Sequence, residues 1–423
     1  MQTFIKKLAV FCVLMTLCGL MHAGDLHTYL IDEAIPVYEA DSIAFYSKGT
    51  DKFESLLRDM RAARHHIHAE YFIFANDSIG NLVIDVMRQK AREGVEIRLV
   101  IDGYYDVKRG YDYASRISQL QADGIDIRIY EPYVFPYAHR VLRDHRKIVV
   151  IDGQIGYTGG FNVADYNIHG KPGIYGDYCD MHVRLEGSCV EGLQHLFSDH
   201  FEKCATKRLP SRFSKGFDGA AYYPYTAAAV EGDSQHDMDK AVCILERGRQ
   251  THRKKAEMRR AIVSIIDSAT DSLHISSPYF LPTPAIRRAI RRAQERGIHI
   301  EILFSEHGDT PMFDYGNVHY GRRLQRRGAE IWLYEGAFQH SKTIMVDGRN
   351  CMVGSVNLDF RATRWNEEDA ALIFNTEATQ WLDSAFVQNQ QGSHRLNTQY
   401  YKQLPYKNRI LGAFANYFLS WCL

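Results

Sequence analysis

The 423 residues are 45% hydrophobic and 12% aromatic, enough apolar material to bury two sizeable cores. Lys and Arg number 51 against 51 Asp and Glu, and a formal net charge of zero argues against general nucleic-acid binding, for which a strongly basic domain is expected. The eight Cys form no C-x-x-C pair and no zinc spacing, so free, partly buried thiols are the expectation.

At the N-terminus, Lys6 and Lys7 precede an uncharged run from Leu8 to Gly24. Residues 1–24 therefore read as either a signal peptide or a membrane anchor. Between Lys7 and Lys48 there is no Lys or Arg, whereas Asp25, Asp32, Glu33, Glu39 and Asp41 are present. That bias keeps the N-terminus in the cytoplasm and sends the remainder across a membrane.

A first domain is expected over 40–205. Ile67-His68-Ala69-Glu70-Tyr71-Phe72, Glu93-Gly94-Val95-Glu96-Ile97-Arg98-Leu99 and the segment Leu120 to Glu131 are short β-rich runs between longer amphipathic stretches. Such alternation predicts βα units covering a largely parallel sheet. Residues 206–240, rich in Pro, Gly, Ser and Ala, break the periodicity and read as a linker.

The second domain, 241–423, repeats the first. Its runs Leu273 to Phe280, Arg296 to Ile302 and Leu324 to Glu335 match those above in order and type. The half carries 24 Lys and Arg against 18 Asp and Glu, with Arg287, Arg288, Arg291, Arg292 and then Arg322, Arg323, Arg326, Arg327 at helical spacing. These read as a solvated helix face or as a surface for anionic phosphates. From Tyr400 to Leu423 aromatic and aliphatic residues mix with Lys402, Lys407 and Arg409, as in an interfacial helix or a C-terminal helix docked on the core.

The pattern His-x-Lys-x-x-x-x-Asp occurs twice, as His145, Lys147, Asp152 and as His340, Lys342, Asp347. Gly159, Gly160 and Asn162 follow the first copy, and Gly354, Ser355 and Asn357 follow the second, all displaced by 195 residues. A fixed register over that length means a duplicated module with a site at its seam. A phosphodiester is an anion with a poor leaving group. Its transfer needs a nucleophile, a proton donor, and cations or hydrogen-bond donors around the phosphate oxygens. Two His, two Lys and two Asn supply all three without a metal or other cofactor. Odd spacing puts Asp152 and Asp347 on the opposite strand face from the Lys, where orienting roles are expected. Asp180 and Glu368 are candidate acceptors for the imidazole N–H, and Glu70, charged in an apolar strand, is expected near the site.

These residues resemble the phospholipase D superfamily, and within it the bacterial cardiolipin synthases, over roughly residues 40 to 423. Ala63 to Phe74, His145 to Gly153, Gly159-Gly160-Phe161-Asn162, Val183 to Gly187 and Val353 to Asp359 with Arg361 carry the likeness. The chain departs from it with Tyr178-Cys179-Asp180 where Trp-Arg-Asp is frequent, and with one apolar N-terminal segment in place of two. The resemblance implies an α/β fold of two tandem sandwich domains related by a pseudo-twofold, with the site between them. His145, Lys147, Asp152, His340, Lys342 and Asp347 would be catalytic; Asn162, Asn357, Glu70, Asp180 and Glu368 would bind substrate. The implied reaction passes a phosphatidyl group from one phosphatidylglycerol to another through a phosphohistidine, at a bacterial cell membrane and with no nucleic acid. Either histidine can be the nucleophile. The same groups would serve a phospholipase D that hydrolyses lipids, or a nucleic-acid phosphodiesterase.

Overall fold

The computed structural model describes residues 26–103, 113–131, 142–171, 176–204, 222, 238–247 and 257–419. The leader expected over 1–24 and most of the linker expected over 206–240 lie outside the described residues. Two sheets organise the chain. The first has seven strands in the order Ser42–Tyr46, His182–Glu186, Ile155–Gly159, Lys147–Ile151, His66–Tyr71, Glu96–Asp102, Ile125–Tyr130. The second contains the same arrangement as Ala241–Arg247, Glu368–Phe374, Asn350–Gly354, Thr343–Val346, Ser272–Ser276, His299–Ser305, Glu330–Tyr334, extended by Tyr38–Glu39 at one edge and Ser393–Arg395 at the other.

Neither sheet is largely parallel, which corrects the sequence reading. Only the last three strands of each seven run parallel, joined by helical crossovers. The strand after each motif histidine returns antiparallel beside the first of these and continues into a hairpin. The hairpin turn is what a scan for βα units misses. Asp152 and Gly153 have φ of 55° and 67°, Asp347 and Gly348 54° and 62°, and Gln154 N–H donates to Ile151 O at 3.0 Å while Arg349 N–H donates to Val346 O at 3.0 Å. Positive φ at both central residues is the hairpin geometry that Asp-Gly adopts readily.

Helices cover the outer face of each sheet. In Pro284–Glu295, Ile286, Ala289, Ile290 and Ala293 are buried at 3- and 4-residue intervals while Arg288 and Arg291 stay exposed. Proline at the first turn starts this helix without losing a hydrogen bond. Between the sheets lies a shared core: Ile148, Val150, Val183 and Leu185 from the first half join Met345, Val353, Ala371 and Ile373 from the second. Burying this apolar face fixes one half against the other, and so fixes the seam where the two histidine segments meet. Among the described residues no helix is long and apolar enough to cross a membrane. The five described cysteines, Cys179, Cys189, Cys204, Cys243 and Cys351, are free, and all but Cys179 are buried.

Candidate active site

Each histidine is held by the opposite half. The His145 N–H donates to the carbonyl of Glu367 at 2.9 Å, and the His340 N–H to the carbonyl of Cys179 at 2.7 Å. The next residue in each case is a carboxylate aimed at the ring: Glu368 Oε2 lies 2.9 Å from His145 Nδ1, and Asp180 Oδ2 lies 2.6 Å from His340 Nδ1. Asp180 and Glu368 occupy equivalent places, each two residues before the partner of the motif glycine, since Gly159 pairs with His182 and Gly354 with Ala370. The pseudo-twofold therefore exchanges carboxylates between the repeats.

The two carboxylates are seated differently. A Cβ on Gly160 would fall 1.8 Å from Asp180 Oδ1, so the carboxylate occupies the space that this glycine leaves. In the second repeat the matching residue is Ser355, whose hydroxyl donates to Glu368 Oε2 at 2.6 Å, while Asn366 Nδ2 donates to Glu368 Oε1 at 2.9 Å. The longer glutamate and the serine replace the shorter aspartate and the glycine.

Three groups crowd His340 Nδ1: Asp180 Oδ2, the Tyr178 hydroxyl at 2.6 Å and Lys342 Nζ at 2.8 Å. Only the carboxylate is an obligate acceptor, so the ring hydrogen is assigned to Nδ1–H pointing at Asp180. His145 Nδ1 faces Glu368 and the Ser355 carbonyl, both acceptors, and takes the same tautomer. In each ring Nε2 is left without a protein partner among the described residues. Both rings wall one cavity of about 330 Å³ at the seam, together with Asn162, Asn357, Tyr279 and Arg361. Asn162 is fixed by accepting from the Ile73 N–H at 3.2 Å; Asn357 Oδ1 is buried without a partner.

Lys147 and Lys342 are buried behind the rings and are not part of the cavity wall. Lys147 Nζ donates to the His145 carbonyl at 2.5 Å, and Lys342 Nζ to the carbonyl of His340. Burial pushes the Lys147 ammonium down to about 8, against Glu368 and Asp180, and Lys342 down to about 7, against Asp180. Burial likewise raises Glu368 to about 7, opposed chiefly by Lys147. Burial and then Lys147 and Lys342 hold His145 well below the ordinary imidazole value. His340 is lowered by burial and Lys342, with Asp180 acting the other way.

The remaining candidates do other work. Asp152 accepts from the backbone N–H groups of Arg64, His65 and His66 at 2.8, 2.8 and 2.9 Å, and Asp347 accepts from those of Thr270, Asp271 and Ser272 at 2.9, 2.8 and 2.9 Å. Each clamps the entry of the neighbouring strand, away from the cavity. Glu70 does not reach the cavity either, because it is enclosed beneath the His145 segment, 2.8 Å from His200 Nδ1 and 3.4 Å from Arg146. Arg146 also meets Glu367 at 2.5 Å, so Glu70 supports the segment that carries His145. Asp180 and Glu368 contact the imidazoles, as the acceptor reading expects, and being fully buried they do not line the cavity where the resemblance would have them bind substrate. Sequence reasoning passed over Tyr178, Tyr279, Ser355 and Asn366 as site residues. Ser355 was within reach, standing at the position of Gly160 in the 195-residue register.

A family model described as "Cardiolipin synthase, PLD-like domain" matches residues 56–171 and 262–389. The chain belongs to this phospholipase D-like family. Among its relatives, a cardiolipin synthase of Oceanobacillus iheyensis is 30% identical over 375 residues, covering 88% of this chain and 73% of that protein. A probable cardiolipin synthase of Bacillus subtilis is 30% identical over 395 residues, covering 92% and 74%. Among solved structures, a phosphatidylserine synthase of Haemophilus influenzae Rd KW20 superposes with a TM-score of 0.70 at 16% identity, over 94% of this chain and 98% of that one. That likeness shows the two-domain phospholipase D-like fold. Both copies of the motif fall within the matched residues.

Proposed function

We propose that this protein is a cardiolipin synthase, a phosphatidyltransferase that joins two phosphatidylglycerol molecules into cardiolipin and releases glycerol. One observation carries the reading: two histidines, each oriented through Nδ1 by the other half's carboxylate, present partnerless Nε2 atoms to one cavity at the seam. The cardiolipin synthases among its relatives supply the lipid class.

In this reading His145 Nε2 attacks phosphorus and the bond to the departing glycerol oxygen breaks as His340 gives that oxygen its Nε2 proton. His340 then takes the proton from a hydroxyl of the second phosphatidylglycerol. That oxygen attacks the phosphohistidine, the N–P bond breaks, and His145 is restored. The order rests on electrostatics. Burial first, then Lys147 and Lys342, hold His145 well below the ordinary imidazole value and so neutral, as a nucleophile must be. His340 is also lowered, by burial and Lys342, but there Asp180 opposes the shift, which makes it the better proton carrier of the two. Lys147 and Lys342 neutralise phosphate charge from behind the rings, and Asn162, Asn357 and Arg361 supply donors at the wall.

The test is to incubate the purified protein with phosphatidylglycerol vesicles and resolve lipids by mass spectrometry. Cardiolipin and glycerol should form, and His145→Ala or His340→Ala should lower turnover on the order of 10⁴-fold. Phosphatidic acid in place of cardiolipin would make the protein a hydrolase and sink the synthase reading.

A further inference from the structure

Among the described residues nine large hydrophobic side chains are exposed, and five of them, Tyr406, Ile410, Phe414, Tyr417 and Phe418, fall within thirteen positions near the C-terminus. They belong to the helix Tyr406–Phe414 and the π-helical turn Ala415–Leu419. Tyr406, Ile410, Phe414 and Phe418 recur every four residues, which lines them along one side. Ile410 is 50% exposed and Phe418 63%, and the Phe414 and Phe418 rings stack at 5.1 Å. The other side is docked: Gly412, Ala415 and Asn416 are buried, and a Cβ on Gly412 would lie 2.3 Å from the Tyr315 carbonyl. An apolar stripe of this size facing water on a docked helix marks a contact surface.

Its surroundings are basic. Arg287 and Arg291 from the helix Pro284–Glu295, Arg323 from the helix Pro311–Gln325 and Arg327 just past its end converge electrostatically on Tyr320. Two of them reach the C-terminal turn directly: Arg287 donates to Asn416 Oδ1 at 3.0 Å, and Arg323 to the Tyr417 hydroxyl at 3.1 Å. Arg288, Arg291, Arg326 and Arg327 are exposed and have no carboxylate partner among the described residues. Exposed aromatics beside unpaired guanidinium groups match the boundary between acyl chains and phosphates. The location fits as well. The C-terminal helix packs on Pro311–Gln325, whose first turn, with Thr310 and Phe313, forms part of the cavity wall.

We propose that this stripe and the flanking arginines form a membrane-docking surface for a bilayer of anionic phospholipid, beside the mouth of the active site. The choice of a bilayer over a protein partner rests on the lipid chemistry proposed above. Phe414 and Phe418 enter the acyl boundary, while Arg291 and Arg327 meet phosphates.

The test uses the full chain carrying His340→Ala, so that docking is read without turnover. Phe418→Trp in that background, mixed with phosphatidylglycerol vesicles containing brominated acyl chains, should show added fluorescence quenching over the parent protein. Any N-terminal anchor is the same in both proteins. Arg291→Glu with Arg327→Glu should weaken partition into phosphatidylglycerol vesicles by about tenfold and leave phosphatidylcholine partition unchanged. No added quenching at position 418 in protein with an unchanged melting temperature overturns the proposal. So does a wild-type dimer in solution that Phe414→Ser with Phe418→Ser converts to monomer, because the stripe is then covered by a second copy of the chain. If wild-type turnover fails while the quenching appears, the synthase reading falls and the docking surface stands.

Discussion

One side chain, present as Ser355 in one repeat and absent at Gly160 in the other, sets how each carboxylate is seated. Asp180 approaches His340 because residue 160 has no side chain, whereas Glu368 approaches His145 over a serine that bonds to it. Gly160→Ala places a carbon 1.8 Å from Asp180 Oδ1, so the carboxylate must withdraw and the His340 ring loses its orientation. A displacement near 1 Å at a reacting group costs about 100-fold in rate. Gly160→Ala should therefore lower kcat by about that factor. Ser355→Gly, which removes one hydrogen bond to Glu368 and creates no clash, should cost about tenfold or less. Steady-state turnover of both variants, with circular dichroism to check folding, decides it; equal losses would mean that the carboxylates are not seated as described.

At the scale of elements, the motif's spacing is a strand length. From Lys147 to Asp152 the chain runs through one five-residue strand into its hairpin turn, and the aspartate occupies the first left-handed position of that turn. There its carboxylate collects three backbone N–H groups from the start of the adjacent strand. Asp152→Ala frees those donors and burdens a positive φ with a Cβ lacking a local bond. A stability loss of about 3 kcal/mol is expected, seen as a lower denaturation midpoint. Below that midpoint kcat should stay within about threefold of wild type, because the group lies outside the cavity. A loss of kcat as deep as that of His145→Ala in a folded protein would return Asp152 to the chemistry. This element also shows what the sequence makes legible. The 195-residue register and the two histidines are local patterns and can be read directly, whereas the equally local Asp-Gly turns escape a search for βα units. The mixed sheet follows from which strands become neighbours. The enclosure of Glu70 under Arg146 follows from a helix, Val190–Lys203, that brings His200 from far along the chain. Neither leaves a local trace.

On the scale of the whole molecule, the site's charge balance draws on both halves. Lys147 faces Glu368 and Asp180, and Lys342 faces Asp180, and no partner set is complete within one repeat. The cross-half pairing was open to inference from symmetry, since a seam site built from two repeats must exchange something. Which residues cross it required the strand register that aligns Asp180 with Glu368. The shared burial sets a pH window. Glu368, raised to about 7, gains its charge as pH climbs through that value and then orients His145 most firmly. Lys342, lowered to about 7, and Lys147, lowered to about 8, lose their charge over the same range and with it the neutralisation of phosphate charge proposed for them. The profile of kcat/KM, which reports the free enzyme, should be a narrow bell peaking between about pH 7 and pH 8. Lys342→Arg, whose guanidinium stays charged throughout, should extend the alkaline limb upward by about one pH unit even where the peak rate falls. Glu368→Gln should flatten the acid limb. A wild-type profile level from about pH 6 to pH 9 would mean that these buried charges do not govern turnover.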